Sequence, residues 1–289
     1  MWNVFWAINK LLYSVLGPNM STAISQSWFG KWVLRLLKGR STTLREYTGS
    51  EGIKLHLLPS EAEYFGFFHM GAMNLYETNV IKRVLHPGDS FIDVGAYVDG
   101  WHSIVASKAV GRTCHVYTFE PIPAFFRRLM DNVKLNHLTN VTLEMVAVSA
   151  KNGSRTFYEN KASSSFYEKH AGQNKAGGMT VKTVTLDSYV TRKRIKSLRL
   201  VKIDAEGAEL EVLKGGIKTL SSPNAPDLMI EIDDRYLKSG GTSEGEVFSL
   251  LRNLGYRAYS IGEGGLSAYK TKADGRQLFN VYFSKRRQL

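Results

Sequence analysis

The chain has 289 residues, 43% of them apolar, which excludes a protein without a core and leaves room for one large domain, alone or with an appendage. Its 38 Lys and Arg outnumber 26 Asp and Glu for a net charge of +12, so membrane headgroups, nucleic acid or a charged substrate are the anionic partners to weigh against a merely basic surface. The single cysteine, Cys114, excludes an intramolecular disulfide and a cysteine metal cluster, and suits a reducing, cytoplasmic setting.

Residues 1–60 read as a helical appendage and linker, and residues 61–289 as the main domain. Met1–Gly17 (MWNVFWAINKLLYSVLG) is shorter than the about 20 apolar residues of a membrane span. It also lacks the basic start and cleavage pattern of a signal peptide. As a helix it sets Asn3, Ala7, Lys10, Ser14 and Gly17 in a narrow polar stripe opposite Trp2, Phe5, Trp6, Leu12 and Leu16, and Pro18 ends it. Trp28–Arg40 repeats the apolar-basic mixture. Two placements stay open for these helices. They pack on the domain or on a second subunit, or they make peripheral contact with a membrane, whose interface favours Trp beside Lys and Arg.

Residues 41–60 are mixed and polar, a joint. From Glu61 onward strand and helix patterns alternate. Leu75–Leu85 has helical spacing, and His86–Asp89 is a turn. Ser90–Val94 is a strand followed by a helix at Ser103–Val110. Cys114–Phe119 is the next strand, and Pro123–Asn136 a helix with Pro in its first turn. Val141–Val148 is a third strand. Arg155–Tyr158 and Thr180–Thr185 alternate like a hairpin or edge strands. Between them Glu159–Gly178, rich in Lys, Ser, Gly and Asn, is long enough to be a functional lid or a disordered connection. Leu200–Ile203 is a fourth strand with a helix over Ala208–Leu220, and Asp227–Ile232 a fifth. Glu244–Leu254 is a helix. Tyr256–Ser260 and Asn280–Ser284 form a closing antiparallel pair. The alternation predicts an α/β domain with a doubly wound, mainly parallel sheet.

Such sheets bind ligands at the carboxyl ends of their strands. Asp93-Val94-Gly95-Ala96 ends the first strand, with a glycine that lets backbone approach a ligand and a helix start that offers N–H groups. The G-x-G-x-x-G fingerprint of dinucleotide sites is missing, which disfavours a nicotinamide-dependent oxidoreductase. Glu120 ends the second strand, where an acid accepts both ribose hydroxyls of a nucleoside. Asp204, Glu206, Glu231, Asp233 and Asp234 lie near strand ends, and their oxygens suit Mg²⁺; acidic strand ends without metal are the commoner case, so no metal is assigned. Asp187 reads as a helix cap, and Glu209 and Glu211 as helix surface.

The segments FIDVGA, YTFEP, NVTLEMVAVSAKNG, TVTLDSYV, VKIDAEGAELEVLKG and PDLMIEI together resemble the FkbM-type S-adenosylmethionine-dependent methyltransferases, from about Tyr76 to about Asp233. The resemblance implies a class I methyltransferase fold and methyl transfer, commonly to oxygen on sugars, natural products or glycans. By position it implies that Asp93, Gly95, Ala96 and Tyr97 form the cofactor loop. Glu120 and Pro121 would serve the ribose, Glu144, Val146 and Ala147 would lie near the adenine, and Asp204 beside the methionine and the acceptor. One departure stands out. The family loop reads G-A-N-x-G-x-Y-[ST]; here Tyr97 replaces the asparagine and Asp99-Gly100 sets the glycine one residue late.

Methyl transfer to an alcohol needs in-line alignment, exclusion of water and a base for the proton. Asp204 is the first candidate base, Glu206 the second and His102 the third. The acceptor is a small molecule or glycan, or a lipid-linked sugar if residues 1–40 meet a membrane. The basic runs at 192–199 and Lys285–Arg287 lack an aromatic–basic RNA motif, which disfavours nucleic acid. A non-catalytic, membrane-associated scaffold is the alternative that the altered loop would support.

Overall fold

The computed structural model describes residues 43–49, 52–59, 61, 74–158, 178–269 and 278–286. The helices expected within residues 1–40 and the connection expected at Glu159–Gly178, except Gly178 itself, lie outside the described residues. Among those described, no helix is long and apolar enough to cross a membrane.

Within residues 41–60, expected to be a joint, the chain instead forms an antiparallel hairpin, β1 (Arg45–Thr48) and β2 (Lys54–Leu57). Tyr47, Ile53, Leu55 and Leu57 of this hairpin are buried in the main core. Its polar residues alternate with the apolar ones, so composition alone reads as linker while the period is that of a strand.

The chain continues with α1 (Leu75–Val84), β3 (Ser90–Val94), α2 (Trp101–Val110), β4 (Val116–Phe119), α3 (Pro123–Leu135) and β5 (Val141–Glu144). Next come β6 (Ala147–Val148), β7 (Gly153–Phe157), β8 (Met179–Val184), α4 (Leu186–Lys193) and β9 (Leu198–Ile203). The remainder is α5 (Glu209–Lys214), α6 (Ile217–Ser221), β10 (Asp227–Asp233), α7 (Asp234–Ser239), α8 (Glu244–Asn253), β11 (Arg257–Gly262), β12 (Gly265–Ala268) and β13 (Leu278–Ser284).

One eight-stranded sheet has the order β12-β11-β13-β10-β9-β3-β4-β5. Strands β5, β4, β3, β9 and β10 are parallel, and β13 runs antiparallel between β10 and β11. This is the doubly wound sheet with an antiparallel C-terminal strand that the alternation and the resemblance implied. Strand residues alternate between two cores. Phe91, Leu200 and Met229 enter the cluster under α1, α2 and the hairpin, while Ile92, Val94, Val201, Ile203, Leu228 and Ile230 enter the one on the opposite face. Burial on both faces explains the continuous apolar runs of these strands.

Two elements differ from expectation. The single strand expected at Val141–Val148 breaks after Glu144, and β6 joins β7 and β8 in a separate three-stranded sheet. The single helix expected at Ala208–Leu220 breaks at Gly215-Gly216. A Cβ on Gly215 would lie 2.2 Å from the Ser149 carbonyl oxygen, so helix and chain meet there at backbone distance.

Candidate active site

The parallel strand order reverses between β3 and β9, the switch point where such sheets open a crevice. Gly95 leaves β3 with φ +83°, and a Cβ there would stand 1.8 Å from the Asp204 carbonyl oxygen at the end of β9. The Asp204 N–H donates to the Val94 carbonyl at 3.0 Å. Gly95 and Ala96 both donate to the Phe119 carbonyl of β4, at 3.0 and 3.1 Å. The loop is thus tied to both neighbouring strands.

The departures at Tyr97 and Gly100 have a structural account. Tyr97 adopts the left-handed region, φ +57°, which asparagine tolerates well and tyrosine seldom visits. Its ring meets Phe125 edge-on at 4.7 Å, and its N–H donates to Glu120 Oε2 at 3.0 Å. Gly100, φ +59°, opens α2 beneath Leu129, whose Cδ1 would be 2.4 Å from an added Cβ. Buried Asp99 accepts from the Trp101 N–H at 2.8 Å, and burial pushes its carboxyl up to about 7.

Glu120 is 4% exposed. Its two oxygens accept from the Tyr97 and Ile122 N–H groups, at 3.0 and 2.9 Å. Burial pushes it up to about 7. Each oxygen keeps a second lone pair, so the carboxylate is aimed and still able to accept. Pro121 follows it at the strand end.

On the α1–α2 face, a polar row crosses the sheet. Asp93 pairs in register with Thr118 on β4 and with Lys202 on β9. Ser103 of α2 donates to Asp93 Oδ2 at 2.6 Å and lies 2.7 Å from Thr118 Oγ1. Burial raises Asp93 to about 6. Lys202, 1% exposed, points its Nζ at Asp204 Oδ2, 3.2 Å away. Burial alone would lower this lysine, but the charges of Asp204, Glu231 and Asp93 outweigh it and hold the group above its ordinary value. Glu231 is pushed well above the usual carboxyl range by burial and by Asp204. The sequence signal for Lys202 is a lone charge inside the apolar run LVKI.

The other candidate bases differ in state. Burial and the neighbouring carboxylates Asp204, Glu209 and Asp233 raise Glu206 to about 9, so it holds a proton at neutral pH. His102 is lowered to about 3 by burial and by Lys202, and its Nε2 is buried without a hydrogen-bond partner. A neutral imidazole so hard to protonate is a weak base.

The roles expected of Glu209, Glu211 and Asp187 are corrected, and the remaining candidates have the contacts that follow. Glu209 is not helix surface: it is 3% exposed, and its Oε1 accepts from Ala205 and Gly207, at 2.9 and 3.1 Å, bracing the Asp204–Gly207 turn. Glu211 pairs with Arg155 and accepts from Ser149. Asp187 caps another helix than its own, accepting from the Lys218 and Thr219 N–H groups of α6, while Thr185 caps α4. At the end of β5, Glu144 Oε1 accepts from Tyr189 and Lys193 of α4, both at 2.9 Å. Ala147 is buried in a small cluster with Ile122, and Val146 packs on the core of the face opposite α1 and α2. Met145, which follows β5, is 49% exposed. Asp233 caps α7 and binds Arg235. Among the described residues no group of three or more His, Cys, Asp or Glu is arranged to hold a metal.

The tight glycine turn, an aimed carboxylate one strand over and a row of buried acids fit a ligand that brings paired hydroxyls and positive charge. A cation there would relieve the mutual repulsion of Asp93, Asp204 and Glu231.

A family model described as Methyltransferase FkbM domain matches residues 93–258. Over 151 residues the chain is 32% identical to the hexuronic acid methyltransferase AglP of Haloferax volcanii, covering 51% of this chain and 59% of that protein. It is 28% identical over 201 residues to the 31-O-demethyl-FK506 methyltransferase FkbM of Streptomyces tacrolimicus, covering 60% of this chain and 74% of that one. The first of these matches thus spans less than two thirds of its relative's length. A crystal structure of methyltransferase FkbM from Methylobacillus flagellatus overlaps 78% of this chain and 54% of that chain, at 15% identity and a TM-score of 0.44.

Proposed function

This chain belongs to the FkbM methyltransferase family, and we propose that it transfers a methyl group from S-adenosylmethionine to a hydroxyl oxygen of a sugar, glycan or related metabolite. The observation that carries this reading is the meeting of Gly95, Glu120 and Asp204 at the carboxyl ends of three adjacent strands, around the switch point. The glycan assignment leans on the hexuronic acid specificity in the name of the haloarchaeal relative. Family membership sets the oxidoreductase alternative aside.

When bound, the donor supplies an electrophilic methyl group on a sulfonium. The chain's own residues have the remaining work. Gly95 and Ala96 admit the donor close to the backbone. Glu120 accepts the ribose hydroxyls, and Met145 with Val146 offers an apolar contact to the base. Asp204 takes the acceptor's proton, with Lys202 Nζ aiming its carboxylate from 3.2 Å. Protonated Glu206 donates a hydrogen bond to the acceptor, and neutral His102 shields the methyl group from water.

Calorimetry with S-adenosylmethionine and S-adenosylhomocysteine, and NAD as control, tests the reading. Wild type binds the adenosyl pair and not NAD. Glu120→Gln, which keeps one acceptor oxygen, weakens binding by about tenfold to a hundredfold, the worth of a hydrogen bond to a charged group. Asp204→Asn retains donor binding and loses transfer to any acceptor found by screening. Folded wild type that ignores both adenosyl ligands would overturn the proposal.

A further inference from the structure

We propose that the amino edge of the central sheet, opposite the candidate active site, is a docking surface for anionic lipid headgroups.

The topology gathers this surface. Strands β5, β4, β3, β9 and β10 all begin at one edge, and the register of Arg257 with Ser284 puts the start of β11 and the end of β13 there too. The five turns that enter the parallel strands, residues 85–89, 111–115, 136–140, 194–197 and 222–226, contain one acid, Asp89. At the same edge stand Arg112, Arg194, Lys196, Arg257 and Arg286, all exposed. Asp227, at the start of β10, is 1% exposed and already engaged by Arg199, Tyr282, Ser284 and Arg286. The surface charge of the edge is therefore almost entirely positive.

Helix ends collect cations because the helix dipole favours them, and that explains Arg83 and Arg192 in last turns. It does not explain Arg112, Lys196, Arg257 and Arg286, which lie beyond any last helical turn. Arg194 holds a left-handed C-cap, φ +52°, where glycine would sit without strain. The carboxyl edge lacks this excess: Asp93, Glu120 and Asp204 stand there with Lys202, and Glu206 holds its proton. A strand of six residues separates the two edges by about 20 Å. An anionic sheet attracts the amino edge far more than the carboxyl one, so it selects one orientation of the molecule.

Lipid is favoured over nucleic acid by what the edge lacks. The exposed large hydrophobics among the described residues are Leu44, Tyr76 and Met145. Leu44 precedes β1, Tyr76 opens α1, and Met145 follows β5 at the carboxyl edge, so among the described residues the rings exposed in these turns are the imidazoles of His86, His115 and His137, with no exposed Phe, Tyr or Trp for bases to stack on. The sequence also carries the second signal that membrane binding needs, the tryptophan-bearing apolar stretches at 1–17 and 28–40. Docked this way, the active site opens away from the bilayer. It would meet an acceptor from the aqueous side, or the outer part of a lipid-anchored one.

The test is sedimentation of the full chain with phosphatidylcholine vesicles, with and without phosphatidylglycerol, at low and high salt. Wild type binds the anionic vesicles only, and salt releases it. The variant Arg112→Glu/Lys196→Glu/Arg257→Glu loses at least about a hundredfold in affinity, given the worth of each cation near a charged bilayer. The neutral set Arg112→Gln/Lys196→Gln/Arg257→Gln loses about tenfold or more. Reversing Arg127, Lys182 and Lys238, exposed on other faces, changes affinity by less than about threefold. Equal binding to neutral vesicles, equal loss in the control variant, or full binding by the edge variants would overturn the proposal. So would release from vesicles by an equimolar RNA, which would hand the edge to nucleic acid. S-adenosylhomocysteine binding checks the fold of each variant; its absence in wild type would sink the methyl-transfer reading and leave this one standing.

Discussion

Asp99 and Gly95 make the sharpest residue-level demands in the loop. Gly95 holds φ +83° with no space for a Cβ. Gly95→Ala should cost about 1–2 kcal/mol in backbone strain alone, and it should displace Asp204 enough to abolish donor binding by calorimetry. Asp99 is a buried carboxyl raised to about 7, whose Oδ1 serves the Trp101 N–H. Asp99→Asn keeps that acceptor and removes the charge. It should stabilise the protein by one or two kcal/mol, roughly, at about pH 8, by about half of that at about pH 5.5 and hardly at all below about pH 4, measured by urea unfolding. These residues show how far sequence reached. Asp93, Gly95, Glu120 and Asp204 were legible because each ends an apolar run. Lys202, Glu209 and Met145 were not, because their significance depends on which neighbours the sheet register and the turn bring to them.

Among the elements, the hairpin β1–β2 is held by α3 through two asparagines. Asn132 accepts from the His56 N–H at 2.7 Å and donates to the Val98 carbonyl at 2.8 Å, while Asn136 bonds Lys54 through its N–H and carbonyl. Asn132→Ala would strand both partners of a fully buried side chain. The expected loss is about 2–4 kcal/mol, seen as a lower urea midpoint with unchanged slope. The main strands and helices were readable from periodicity, since both faces of the parallel strands are covered. The hairpin was not, because four-residue strands among polar residues give too short a pattern. The breaks after Glu144 and at Gly215 escaped for another reason. Each is set by a contact with a distant segment, such as Gly215 against the Ser149 carbonyl.

At the scale of the whole molecule, buried acids give the fold a definite response to pH. Burial raises Asp93 to about 6 and Asp99, Glu120 and Glu209 to about 7. Between about pH 4 and pH 7 the folded state therefore holds protons that the unfolded chain has lost. The stability from these groups is full below the unfolded values and is lost as pH rises through the folded ones. His102, lowered to about 3, has the opposite sign and costs stability as pH falls below its ordinary value. With Glu206 and Glu231 raised as well, the carboxyls outweigh His102 and predict a protein that melts higher at about pH 5.5 than at about pH 8, by roughly 5 °C in a thermal scan. A bound cationic donor should narrow that gap. The sheet order has a consequence of another kind. Strand β13 lies between β10 and β11, although both precede it in the chain. A ribosome making this protein has exposed every other strand of the sheet before residues 278–284 emerge. Until then β10 offers an open apolar edge of the sort that recruits the wrong neighbour. Birth of this fold is thus a wait for its last strand, and a chaperone that shields β10 in the interval would raise the yield of native enzyme.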